Sequence, residues 1–179
     1  SCYHCRKRQS NHCESWGAIG DTAPGAMAEH VLAPARNLYR VEDHERLDLA
    51  AFTEPLACVV WGMERLRGVA PGARAVVFGA GPIGQLLIQL ARVSGAGQVV
   101  ATDRLAHRVE AARGMGAVAE RVTDGSERAA LLEATGGLDL DTAIEIAGED
   151  DAIGAAIELV KPAGVVVIDD SGVFRMESD

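Results

Sequence analysis

The chain has 179 residues, room for one ordinary domain and a smaller part. Its 26 acidic and 17 basic residues give a formal charge of -9, which excludes the basic footprint of a nucleic-acid binder. Apolar residues make up 48%, enough for a buried core, whereas aromatics at 4% leave the packing to Ala, Val, Leu and Ile.

In chain order, the first 47 residues are loop-rich. Ala26 to Leu32 and Asn37 to Val41 are expected as short strands separated by Ala33-Pro34-Ala35. These fragments cannot close a core, so residues 1–47 read as the edge of a larger β domain. From Asp48 onward helix and strand alternate. Leu56, Val59, Val60, Met63 and Leu66 fall on one side of a helix that Pro71-Gly72 stops. Ala75 to Phe78 is a short apolar strand, followed by a helix over Ile83 to Val93 and a strand over Gln98 to Thr102. A helix over Leu105 to Met115 ends at Gly116, and Ala119 to Val122 forms a third strand. Ser126 can N-cap a helix to Thr135, and Thr142 to Ile146 is a fourth strand. Glu149, Asp150 and Asp151 crowd the start of the last helix, where the dipole favours negative charge, and Lys161-Pro162 closes it. Gly164 to Asp169 is a fifth strand. Apolar strands each followed by an amphipathic helix imply a parallel sheet covered on both faces.

A membrane span is not expected. The longest uncharged stretch, Ala75 to Ala91, is broken by Gly79, Gly81, Pro82 and Gly84, short of about 20 continuous apolar residues. No apolar leader opens the chain; its start inside a cysteine cluster and its polar end read as a fragment's edges.

Two motifs carry chemistry. Cys2, Cys5 and Cys13 form C-x2-C-x7-C, in which two thiolates reach one ion from a short loop and a third closes over it. Tetrahedral zinc wants a fourth ligand. His4 and His12 each adjoin a cysteine, so their rings point elsewhere. Disulfides or free thiols are the alternatives, and nothing else suggests export. The need for reduced thiols, with no apolar leader in the given residues, makes a cytoplasmic location the expectation. Cys58 reads as a small core residue.

The second motif is Gly79-Ala80-Gly81-Pro82-Ile83-Gly84, a G-x-G-x-x-G with a strand before it and a helix after it. Gly79 permits the tight turn, Gly81 lets a pyrophosphate approach the backbone, and Gly84 lets the helix pack on the sheet. Pro82 costs little in a first helical turn, whose free N–H groups can receive phosphate. Asp103, 19 residues after Gly84, sits at the tip of the second strand. A carboxylate there can take both ribose hydroxyls and would repel a 2′-phosphate, favouring NAD over NADP. Arg104 and Arg108 pull the other way, since a guanidinium could accept that phosphate. The bland alternative is that Asp103 only caps the helix at Leu105.

Together these residues resemble the zinc-containing medium-chain dehydrogenases/reductases, in particular the polyol (sorbitol-like) branch. Cys2-Tyr3-His4-Cys5 through Cys13 resembles three ligands of that family's structural zinc lobe, the remaining cysteine lying three residues before Cys2. Gly25 to Pro34 with Asn37 to Val41 resembles the last strands of a GroES-like catalytic domain. Thr53-Glu54-Pro55-Leu56-Ala57 resembles the segment that returns to the active site, and Gly79 to Gly84 with Asp103 and Arg108 resembles the NAD fingerprint. The resemblance implies a Rossmann doubly wound α/β domain over residues 48–179, incomplete at its C-terminus. It also implies the remnant of a GroES-like β domain over residues 1–47.

The implied activity is zinc-dependent hydride transfer between an alcohol or polyol and NAD, in a homo-oligomer that meets neither nucleic acid nor membrane. By resemblance Glu54 lies on or near the catalytic metal, although an acid in a first helical turn is also stabilised by the dipole. By the same resemblance Ile83 matches a position that packs on the cofactor, although its spacing also suits a residue of the helix core, and Asp103 and Arg108 match adenosine-side contacts. At Ile168-Asp169-Asp170-Ser171-Gly172 the chain departs from the Val and Gly expected near the nicotinamide. The remaining catalytic ligands are expected before Ser1 and a sixth strand after Asp179, so the chain alone is not expected to be active. His30, His44 and His107 lack ligand spacing, Trp16 reads as packing, and Glu145 reads as a structural hydrogen-bond acceptor. The rivals are a zinc-free NADPH-dependent quinone or enone reductase, which the cysteines and Asp103 oppose, and a non-catalytic dinucleotide-binding module, which Glu54 opposes.

Overall fold

The period-2 alternation of β1, Arg74–Phe78, organises the larger part of the molecule. Ala75 and Val77 belong to one apolar cluster, Val76 and Phe78 to another, and all four are fully buried. A strand buried on both faces needs helices on both, which is the condition for parallel pairing. The computed structural model describes residues 2–42, 46–66, 68–123, 125–137, 140–169 and 173–177. Its chain divides into two compact units, Ser1–Leu47 and Asp48–Asp179.

The second unit continues through α4 (Pro82–Val93), β2 (Gln98–Asp103), α5 (Ala106–Gly114), β3 (Val118–Arg121), α6 (Glu127–Ala134), β4 (Leu140–Glu145), α7 (Asp150–Leu159), β5 (Val160–Asp169) and β6 (Val173–Glu177). Ahead of β1 lie α2 (Leu47–Ala50) and α3 (Thr53–Arg65). The sheet order is β3-β2-β1-β4-β5-β6, with the first five strands parallel. This is the doubly wound Rossmann order, which reverses between β1 and β4. On one face Val59 and Met63 of α3, Leu87, Ile88 and Ala91 of α4, and Val109 and Ala112 of α5 pack on Ala75, Val77, Val99 and Ala101. On the other, Leu131 of α6 and Ala152, Ala155, Ala156 and Leu159 of α7 pack on Val76, Phe78 and Val100. Burying each Val or Leu side chain stabilises by roughly 1.5–3 kcal/mol. These small residues make up for the scarcity of aromatics.

Several expectations are corrected. The apolar stripe of α3 is narrower than its spacing suggested: Val59, Met63 and Leu66 are buried, while Leu56 and Val60 are largely exposed. The last helix stops at Leu159, and Lys161 lies in β5 rather than at a helix end. Lys161 pairs there with Asp141 of β4, and that cross-strand partner explains the early start. β6 occupies the sixth position but runs antiparallel to β5. Three residues separate the two, too few for the crossover a parallel partner needs.

In the first unit, α1 (Tyr3–Arg6) is a single helical turn, followed by 3₁₀ turns at Ser10–His12 and Ala35–Asn37. The strands expected over 26–32 and 37–41 are absent among the described residues, which there form bends and extended coil. A strand is held by its neighbour's N–H and C=O groups, and these segments find no partner strand. His44 lies outside the described residues, as do Asp170, Ser171 and Gly172 from the expected nicotinamide segment. No helix among the described residues is long and apolar enough to cross a membrane.

Candidate functional site: a sulfur cluster and a nucleotide cleft

The first unit gathers three thiols. Cys2 caps the start of α1 and Cys5 lies three residues on, so one helical turn puts both on the same side. The Ser10–His12 turn delivers Cys13 to them. The three Sγ atoms lie within 4.8 Å of one another, with Cys2 and Cys5 3.7 Å apart. Two sulfurs on one tetrahedral zinc are separated by about 3.8 Å for Zn–S bonds near 2.3 Å, so the trio fits such an ion. Backbone N–H groups of Cys5 and Glu14 aimed at Cys2 hold its thiol down at about 6. The Cys5 thiol is pushed up, chiefly by its hydrogen bond to Cys13 and then by that to Cys2. No disulfide joins the cysteines. Neither His4 nor His12 belongs to the cluster; their rings lie 5.8 Å apart. Trp16, with its N–H on the Cys13 carbonyl at 2.9 Å, is half exposed rather than packed.

The second unit carries a cleft of about 530 Å³ across the carboxyl ends of the strands. Its floor is the β1–α4 turn. Gly79 adopts φ +95°, a conformation that side chains disfavour. A Cβ on Gly84 would stand 1.9 Å from the Gly79 carbonyl oxygen, so the helix reaches the turn only because that position has no side chain. Pro82 is the first residue of α4, and the first helical hydrogen bond runs from the Gln85 N–H to the Gly81 carbonyl. The N–H groups of Ile83 and Gly84 precede that bond, the usual seat for a phosphate.

Asp103 borders the same cleft, and its side chain is only 6% exposed. Oδ2 accepts the Ala80 N–H at 2.9 Å and Oδ1 accepts the Leu105 N–H at 2.8 Å. Arg108 Nη1 stands 3.6 Å from Oδ2. Asp103 thus ties the glycine turn to the residue that opens α5, and these two bonds fill only two of roughly four acceptor positions on a carboxylate. Arg104 is held elsewhere, with Nη1 3.0 Å from Glu149 Oε1 at the head of α7. Gly79, Gly81, Pro82, Ile83, Gly84, Asp103 and Arg108 thus come together in one cleft. The turn, the free helical N–H groups and the acid form a cradle suited to a dinucleotide.

Glu54 stands apart from this cleft. It lies exposed in the first turn of α3 and accepts a hydrogen bond from the Cys58 thiol at 3.4 Å. Among the described residues it joins no cluster of three potential metal ligands. Cys58 is exposed rather than core. Glu145 is fully buried, and its Oε1 accepts the N–H groups of Ala147 and Gly148 at 2.7 and 2.9 Å. It thereby fixes the loop whose Ala147 abuts Gly79. Glu127 and Glu149 also line the cleft. Sequence reasoning gave Glu149 only a helix-dipole role and did not single out Glu127.

The family model described as zinc-binding dehydrogenase matches residues 82–173. The chain belongs to the zinc-binding dehydrogenase family. Within this family it is 33% identical over 168 residues to an L-threonine 3-dehydrogenase of Anaeromyxobacter sp. (strain K), covering 93% of the chain and 48% of that protein. It is 31% identical over 165 residues to a D-arabitol-phosphate dehydrogenase of Enterococcus avium, covering 91% of the chain and 47% of that protein. The chain therefore spans about half the length of the curated relatives it matches. A solved zinc-binding dehydrogenase from Sinorhizobium meliloti 1021, bound to NADP, superposes with TM-score 0.80 at 32% identity, covering 94% of the chain and 50% of the other.

Proposed function

We propose that the protein transfers hydride between an alcohol or polyol and NAD, with this chain supplying the cofactor-binding part and a structural zinc lobe. Residues 48–179 are the NAD-binding domain; residues 1–47 are the end of a GroES-like catalytic domain. The observation that carries the reading is the cleft in which the Gly79–Gly84 turn and Asp103 converge.

Within that cleft the N–H groups of Ile83 and Gly84 receive the diphosphate. Asp103 takes the ribose hydroxyls on its remaining lone pairs and Arg108 borders the adenosine side. Glu145 holds the loop opposite the turn, so the walls are set before the ligand arrives. Bound there, the nicotinamide supplies a hydride acceptor, and a catalytic zinc would supply a Lewis acid for the substrate oxygen. Glu54 is assigned to that metal, as a ligand or as the acceptor for its water. Cys2, Cys5 and Cys13 hold the structural ion and tie the loop over residues 2–13. NAD is preferred to NADP because Asp103 faces the ribose and Glu149 holds Arg104. The working enzyme is taken to be a cytoplasmic homo-oligomer.

The test is a panel of simple alcohols, polyols and L-threonine offered to the intact protein with NAD, followed by NADH absorbance. Turnover of at least one class with NAD supports the reading. Inactivity with all of them, or activity confined to enones or quinones with NADPH, rejects it.

A further inference from the structure

Glu127, the first residue of α6, is 7% exposed and lies in the wall of the cleft. Its Oε2 is buried and has no hydrogen-bond partner among the described residues. A buried carboxylate oxygen without a donor is costly, and native proteins rarely leave one so. Its place at the start of a helix favours the negative charge, so the oxygen calls for a donor rather than another acceptor.

The order of strands says which part of a ligand comes there. The diphosphate seat follows β1 and Asp103 closes β2. The next wall outward is Val122, one residue past β3, together with Glu127. A nucleotide laid from β1 over Asp103 carries its base toward this wall. Leu105, Val122 and Ala152 offer apolar surface for a flat ring. Of the bases a nicotinamide carrier can present, adenine brings an exocyclic amine, a neutral donor at the ring's edge.

We infer that Glu127 Oε2 accepts a hydrogen bond from the adenine 6-amino group, making Glu127 a base-selecting residue of the cleft. This rests on the dinucleotide reading above and adds to it a contact that neither the glycine turn nor Asp103 requires. Arg104 and Arg108, the two cations that line the cleft, are engaged by Glu149 and Asp103.

The test compares NAD with the analogue dinucleotide whose base is unsubstituted purine, hydrogen replacing the 6-amino group, by calorimetric titration of the intact protein. A hydrogen bond to a charged group makes the analogue bind about tenfold or more weakly in the wild type. Glu127→Leu brings the two affinities within about twofold, chiefly by weakening NAD, and Glu127→Gln keeps part of the difference through its amide oxygen. Equal affinities in the wild type, a comparison that needs no variant, overturn the inference while leaving the dinucleotide reading intact. So does a Leu variant that still discriminates. Failure of both dinucleotides to bind removes the dinucleotide reading, and this inference with it.

Discussion

Asp103 reaches from the tip of β2 to the glycine turn that follows β1, its Oδ2 accepting the Ala80 N–H at 2.9 Å. The acid proposed to take the ribose also ties the glycine turn to the neighbouring strand. Replacing Asp103 with Ser therefore has two consequences. It removes the charge that opposes a 2′-phosphate, moving the NAD-to-NADP affinity ratio toward NADP by about tenfold or more. It also leaves the Ala80 N–H, in a fully buried residue, short of an acceptor, lowering stability by about 1–3 kcal/mol. Parallel titrations with both cofactors and a denaturant melt check the two separately. An unchanged ratio removes Asp103 from cofactor choice.

Arg104 and Glu149 form an ion pair 3.0 Å long beside the cleft, with both side chains about half exposed. Such pairs are worth about 0.2–1 kcal/mol. Glu149→Gln releases the guanidinium and removes a repelling charge, so NADP binding improves by about two- to fivefold while NAD binding changes little. The gain shrinks as salt rises. Affinity measured at two ionic strengths tests both points.

Gly84→Ala places a methyl group 1.9 Å from the Gly79 carbonyl oxygen. That neighbour is backbone and cannot swing aside, so α4 must lift or the turn must open. The expected cost is about 1–3 kcal/mol, with loss of dinucleotide affinity out of proportion to it. Gly62→Ala is the control, since a Cβ there meets nothing within 4 Å and a helical Ala is favoured over Gly. Thermal melts and titrations of the two variants should diverge.

Asp141 of β4 bridges three strands at the end of the sheet away from the cleft. It accepts the Arg74 N–H of β1 at 2.7 Å and pairs with Lys161 of β5. Lys161 first, and then the Arg74 N–H, hold its carboxyl below the ordinary carboxylate value. A folded-state pKa below the unfolded one means the unfolded chain binds more protons in the acid range. The stabilisation is thus present above about pH 4 and is lost as pH falls through the folded value. Lys161→Met should lower stability at neutral pH by about 1 kcal/mol or less, because the pair is partly exposed, and raise the pH of acid unfolding. Acid titration monitored by circular dichroism reads the shift; an unmoved acid limb contradicts it.

The larger unit was legible because its signals are local and agree with one another. Val76, Phe78 and Val100 alternate with Ala75, Val77 and Ala101 at period 2, and helices recur between such runs. The glycine turn and Asp103 could be read because each position has a steric or electrostatic reason to be that residue. Less could be read where a partner decides. Segments 26–32 and 37–41 have strand-like composition, but composition does not provide a neighbour with which to form a ladder. Lys161 looked like a helix-ending cation, and only the register of β4 against β5 reveals Asp141 as its partner. Glu149 looked like a dipole acid and Glu127 drew no reading, because their place in the cleft wall depends on how α6 and α7 cover the sheet.

The central claim is that the Gly79–Gly84 turn and Asp103 seat a nicotinamide dinucleotide. Its most direct test is calorimetric titration of the intact, folded protein with NADH. The account predicts saturable binding of one NADH per chain, displaced by ADP-ribose and abolished or greatly weakened in Gly84→Ala. A wild-type protein that takes up neither NADH nor NAD across the titration would contradict it.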